Sequence, residues 1–186
     1  MKIYVAETSS VAGDIFGEKL YQERARRALP ILVRQALSGK PITYEGLAWE
    51  LGMPNPRDLN WVLGSVGHSL DELSRKSGWK KRAPPHIQSL VINKGTQMPG
   101  PGFDSFLAGR DVDYGELDRQ QKRLYLNGYW ADVFAYPYWR ELLSEFDLVM
   151  SEDDRSQVIA KAKMRKRRRV VAMVAEKALS TKPSRI

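Results

Sequence analysis

No cysteine occurs among the 186 residues. That excludes disulfides, thiolate nucleophiles and cysteine metal sites at once. His68 and His86 are the only imidazoles, so a zinc site would have to recruit carboxylates, and neither a metal nor a cofactor is expected. No apolar run approaches the roughly 18 residues that span a bilayer, and the opening MKIYVAETSS lacks the apolar centre of a secretory signal. The expectation is a soluble cytoplasmic protein, nucleoid-associated if bacterial, with no membrane partner. Enzyme signatures are missing too: there is no paired-acid motif, no Ser/His/Asp set, no P-loop and no Rossmann glycine fingerprint. GTQMPGPGF, at 95–103, is glycine-rich but has neither the lysine nor the following helix of a phosphate loop, and it reads as a turn. A non-enzyme is expected. Residue types alone leave one enzymatic alternative, a carboxylate-based metal nuclease.

What is present is a folding composition, 42% hydrophobic with five Trp and eight Tyr, and a charge of +8 that is unevenly placed. Residues 161–186 hold ten basic side chains (Lys161, Lys163, Arg165, Lys166, Arg167, Arg168, Arg169, Lys177, Lys182, Arg185) against Glu176 alone, a local balance of +9. The other 160 residues carry 20 bases and 21 acids, a balance of −1. Attraction to a polyanion and counterion release both scale with local positive charge density, so the last segment is the natural partner of nucleic acid, DNA or RNA. Its run KAKMRKRRR also reads as a nuclear localisation signal or as a dock for the protein's own acidic middle segment. An anionic membrane is a weaker fourth reading, because bulky aromatic anchors are lacking.

Four segments follow from the pattern: an N-terminal stretch 1–19, a winged helix-turn-helix 20–107, an acidic, aromatic-rich helical extension 108–150, and a basic C-terminal helix or tail 151–186. Leu29, Leu32, Val33, Ala36 and Leu37 recur at helical spacing and predict a helix over about 22–38 ending at Ser38-Gly39, with Pro30 near the start of its regular part. Thr43 caps a second, short helix closed by Gly52. Asn55 and Pro56 open a third helix running to about Arg75, whose inner face is Leu59, Val62, Leu63, Val66, Leu70 and Leu73. Its outer side is expected to show Arg57, Trp61, Gly64, His68 and Arg75, with Gly64 and Gly67 permitting close approach of a backbone or duplex. HIQSLVINK, at 86–94, predicts a half-buried strand, and with GTQMPGPGF and a return strand it would make a wing. Further on, Tyr129, Trp130, Phe134, Tyr136, Tyr138 and Trp139 supply packing surface for a helix beginning near Pro137. Residues 151–180 then read as one long helix, acids first and bases later. The class is mainly α with a small β-wing and a C-terminal helical extension.

The order helix, short strand with Thr43-Tyr44-x-x-Leu47-Ala48, second helix, Gly52 turn, third helix, Pro-led strand and glycine-rich loop resembles the DNA-binding part of alkylguanine-DNA alkyltransferases and alkyltransferase-like proteins. The carrying residues are Gly39, Ile42, Thr43, Tyr44, Leu47, Ala48, Gly52, Pro85, His86, Gly102 and Phe103, over roughly 30–103. Where that family has P-C-H-R-V with its reactive cysteine, this chain reads Pro84, Pro85, His86, Ile87, Gln88, so no alkyl acceptor is present. PPHIQSLVINK, MPGPGF and YPYWRELL also look like winged-helix modules that accompany bacterial HNH-type nucleases, here without a nuclease half. Both resemblances imply DNA contact through the third helix and wing.

The candidate contact residues are therefore Arg57, Asn60, Trp61, Ser65, His68 and Arg75 on the third helix. To these are added Arg75, Lys76, Lys80, Lys81 and Arg82 as a phosphate clamp, and Lys161, Lys163, Arg165, Lys166, Arg167, Arg168 and Arg169 in the tail. The bland reading of each group is a solvated surface, and Trp79 is either core-packed or stacking. The favoured function is non-enzymatic binding of nucleic acid, duplex DNA foremost. An adaptor that holds a nuclease or other effector subunit through the acidic aromatic segment and the face of the third helix is the rival, and an RNA-binding accessory factor acting mainly through the tail is the third reading.

Overall fold

The computed structural model describes residues 11–107, 114–153 and 156. The chain divides into a unit of residues 1–150 and a second of residues 151–186. The tail candidates from Lys161 to Arg169 lie outside the described residues, as do residues 108–113, which open the extension. The first unit is mainly helical with one small sheet: α1 (Leu20–Ser38), β1 (Ile42–Thr43), α2 (Tyr44–Glu50), α3 (Leu59–Arg75), β2 (Val91–Ile92), α4 (Asp104–Leu107), α5 (Arg119–Ala135) and α6 (Trp139–Glu145).

Each of the first three helices ends where its sequence signals predict. Gly39 takes the left-handed conformation after α1, at φ 63°, where an L side chain would be strained. Thr43 Oγ1 accepts the Gly46 N–H at 3.1 Å, and Gly52 closes the turn after α2 at φ 66°. Asn55 Oδ1 accepts the Arg57 N–H, so Pro56 opens a single 3-10 turn, Pro56–Asp58, that feeds α3. Pro30 differs from expectation: it lies in the middle of α1. Its ring is buried, and that packing offsets the hydrogen bond a mid-helix proline removes.

The core forms where α1 lies along α3. Ala25, Ala28, Leu29, Leu32 and Val33 of α1 meet Leu59, Val62, Leu63, Val66, Leu70 and Leu73 of α3, and all are buried. Arg34 of α1, itself buried, grips Glu50 of α2 through two bonds of 2.8 and 2.7 Å. This two-pronged geometry holds a guanidinium where a single bond would leave its charge under-solvated. Residues ahead of α1 join the same core: Ile15 is fully buried, and its N–H donates to Ser69 Oγ at 2.9 Å.

The wing is where sequence and structure part. HIQSLVINK begins as a 3-10 turn (Ile87–Leu90), and only Val91–Ile92 is strand. That strand pairs in parallel with β1, Ile42 beside Val91 and Thr43 beside Ile92. No return strand follows among the described residues. The chain instead closes a turn from Asn93 to Met98, where the Asn93 N–H donates to the Met98 carbonyl at 2.9 Å. It then folds back so that the Gly100 N–H reaches Tyr44 Oη at 3.1 Å. A 3-10 turn, Pro101–Phe103, runs directly into α4, so the glycine-rich stretch does precede a one-turn helix. β-branched composition predicted strand here, but two residues of parallel pairing and the anchor to Tyr44 are the partners the backbone found.

The extension contains more helix than expected. α5 starts with a reciprocal cap: Asp118 Oδ1 accepts the Gln121 N–H at 2.8 Å and the Asp118 N–H donates to Gln121 Oε1 at 2.9 Å. α6 begins just after Pro137, as predicted. Three aromatic side chains of this region hold it to the chain's own backbone. Tyr129 Oη accepts the His86 N–H at 2.8 Å, Trp130 Nε1 donates to the Ser89 carbonyl at 3.0 Å, and the fully buried Trp139 donates to the Val133 carbonyl at 2.8 Å.

Candidate nucleic-acid interface

α3 is the element that organises every described candidate. At its N-terminal end Arg57 is exposed and Asn60 half-buried. Trp61, 37% exposed, lies against Tyr21 of α1 with ring centroids 5.5 Å apart. Arg57 stands on the 3-10 turn that precedes α3, and Trp61 on the first turn of α3.

Asn60 also lines a groove of about 440 Å³ with Tyr44, Asn55, Arg57, Asn93 and Gly100. Behind it lies a cavity of about 30 Å³ bounded by Tyr44, Asn60, Gln88, Phe103 and Phe106, room for water rather than for a ring. Burial pushes the Tyr44 phenol up from its ordinary range, and the hydrogen bond from Gly100 opposes this.

The middle of α3 does not belong to the outer face. Ser65 is fully buried with its Oγ unpartnered, and Gly64 and Gly67 are buried as well. The close neighbours at Gly67 belong to the chain itself: a Cβ there would stand 2.4 Å from both Gln88 Nε2 and the Phe106 ring. Ser65 is thus removed from the contact set. The apolar stripe is wider than the six large side chains implied, because the small residues between them admit the 3-10 segment and Phe106.

Further along α3, His68 Nε2 lies 3.3 Å from Glu72 Oε1, both half exposed, and Arg75 is exposed. Beyond the helix, the basic cluster divides. Lys80 and Lys81 project outward. Lys76 Nζ bonds Glu145 Oε1 at 3.1 Å, and Arg82 Nη1 bonds Glu141 Oε1 at 2.7 Å. The Arg82 guanidinium also stands 4.4 Å from the centroid of Trp79 and 5.0 Å from that of Tyr138, and the Tyr136 hydroxyl donates to the Arg82 carbonyl at 2.7 Å. Trp79 is buried, which makes it a packing residue and not an open stacking surface. Burial raises the Tyr136 phenol to about 12, and the hydrogen bond from Lys76 holds the Glu145 carboxyl below its ordinary range.

Three residues adjoining Trp61 escaped the sequence reading: Lys19, Tyr21 and Arg24, brought there by α1. Only the packing of α1 on α3 places them, since they lie 37 to 42 positions from Trp61 in the chain. His86 is buried and 5.2 Å from the Phe106 ring centroid. Among the described residues no group of three or more His, Asp or Glu side chains is arranged to hold a metal ion. No described helix is long and apolar enough to cross a membrane. Comparison of the chain with protein-family profiles, with curated proteins and with solved structures finds no match.

Proposed function

We propose that this chain is a non-enzymatic nucleic-acid-binding protein whose principal target is duplex DNA. In this reading α2, the Gly52 turn and α3 serve as a helix-turn-helix, the segment 93–103 takes the place of a wing, and the basic run 161–169 adds grip that is indifferent to sequence. The observation that carries it is the segregation of charge, +9 in residues 161–186 against −1 in the rest, since salt-dependent phosphate binding follows local charge density. The cation, amide and indole of Arg57, Asn60 and Trp61 supply groups of the kind that position a protein on nucleic acid. An adaptor is the second reading, favoured by Trp49 on α2, which is 82% exposed and has the character of an interface anchor.

The test uses the full chain and labelled duplex DNA, single-stranded DNA and RNA at two salt concentrations, with Arg167, Arg168 and Arg169 together replaced by Gln. Removing three phosphate contacts should flatten the slope of log K against log salt by about 2 to 3. A flat salt dependence in the wild-type chain, or no binding to any of the three, overturns the reading in favour of the adaptor.

A further inference from the structure

The pairing of Trp61 with Tyr21 carries a more specific inference. Two aromatic rings from different helices meet at 5.5 Å between centroids with a 38° tilt, outside the α1–α3 core. They help form the walls of a shallow pocket of about 380 Å³ completed by Lys19, Leu20, Arg24 and Asp58. The site is held in place: the Tyr21 hydroxyl accepts the Gly13 N–H at 3.1 Å, and Trp61 stands on the first turn of α3. Leu20 beside them is 58% exposed. The two anchored rings and the exposed leucine give this face an apolar contact surface.

Its charge says what suits it. Among the residues that line the pocket, the cations Lys19 and Arg24 stand against one acid, Asp58. Flat aromatic faces rimmed by cations match a polyanion whose rings are available for stacking. In a duplex those rings are stacked on one another and closed to a side chain. We propose that Trp61 and Tyr21 form a stacking platform for an unpaired nucleobase, with Lys19 and Arg24 receiving the flanking phosphates. The platform gives the protein a preference for single-stranded segments over continuous duplex at this site. This rests on the nucleic-acid reading above and narrows it at one place: the Trp61–Tyr21 face meets an unpaired segment, such as a bulge or an overhang, of an otherwise duplex target.

The experiment titrates the full chain with an oligo-dT strand, with the same strand carrying abasic positions, with a blunt duplex and with poly-glutamate, following tryptophan fluorescence and anisotropy. Base stacking quenches indole emission, so quenching by oligo-dT should be lost in Trp61→Phe while affinity is largely kept. Trp61→Ala should lower oligo-dT affinity about tenfold or more, the scale of one lost stacking contact. Tyr21→Leu should act in the same direction. Thermal melts of each variant separate lost contacts from lost fold. Abasic strands should bind wild type as weakly as oligo-dT binds Trp61→Ala. If Trp61→Ala and wild type bind oligo-dT equally, or if abasic strand or poly-glutamate binds wild type as tightly as oligo-dT does, the platform is overturned while the broader reading stands. If wild type binds no nucleic acid at all, both fall together.

Discussion

The two ends of α3 carry similar residues and meet different fates. At the N-terminal end Arg57 forms no ion pair among the described residues, and neither do Lys19 and Arg24, which line a pocket with the paired rings of Trp61 and Tyr21. At the C-terminal end Lys76 and Arg82 are spent on Glu145 and Glu141 of α6, with Trp79 buried beneath the Arg82 guanidinium. In sequence the second cluster is the denser: Arg75, Lys76, Lys80, Lys81 and Arg82 lie within eight positions. The difference teaches that a basic run is a binding surface only after the acids folded against it have been counted. Phosphate must displace a carboxylate to reach Lys76 or Arg82, whereas Arg57 needs only to shed water.

The largest expected effect breaks the closed end. Trp139 is fully buried and holds α6 through its bond to the Val133 carbonyl, so Trp139→Ala should cost about 3 to 5 kcal/mol of stability. Denaturant unfolding checks this, and a loss below about 1 kcal/mol would mean that Trp139 does not anchor α6 in the core. The next comparison sets the two ends directly against each other. Arg57→Gln should leave the melting temperature unchanged and reduce the salt slope of DNA binding by about one. Arg82→Gln should do the reverse, keeping the slope and lowering stability by about 1 kcal/mol through its half-exposed ion pair and ring contacts. Equal effects on the slope would erase the distinction between the ends.

The smallest effect is a titration. The Glu145 carboxyl ionises below its ordinary value because Lys76 bonds it. A folded-state value below the unfolded one means that the tie is present above the unfolded value of 4.5 and is lost as pH falls through the folded one. Carboxyl resonances of Glu145 followed by NMR should therefore show a midpoint under 4.5 that moves upward in Lys76→Gln. An unmoved midpoint would show the Lys76 contact to be absent in solution.

Much of the local structure was legible. Thr43, Gly52, Asn55 and Gly39 sit where caps and turns demand them because each signal acts over three or four residues, a range a sequence displays openly. The same kind of signal stands at the start of α5, where Asp118 and Gln121 form a capping box three residues apart, but the helix buries only Leu126, Tyr129 and Val133, too sparse a stripe to show in the periodicity. The six-residue stripe of α3 was equally visible, and all six side chains are buried. The stripe did not reveal Ser65, Gly64 and Gly67 as its continuation, because a small residue is buried by what packs over it rather than by its own hydrophobicity. Phe106 and Gln88 decide that burial from over twenty residues away.

What the amino-acid sequence determined alone is therefore a chain of capped helices, free of thiol chemistry, with its positive charge massed in residues 161–186. Those are properties of composition and of neighbours along the backbone. The tertiary structure decided the rest: that Val91–Ile92 pairs in parallel with β1 in place of a hairpin wing, that α6 neutralises Lys76 and Arg82, and that Tyr21 comes to lie beside Trp61. Each of these joins residues about 40 to 70 positions apart. Contacts at that separation are selected by how whole helices pack, a competition among surfaces that no short window of sequence contains.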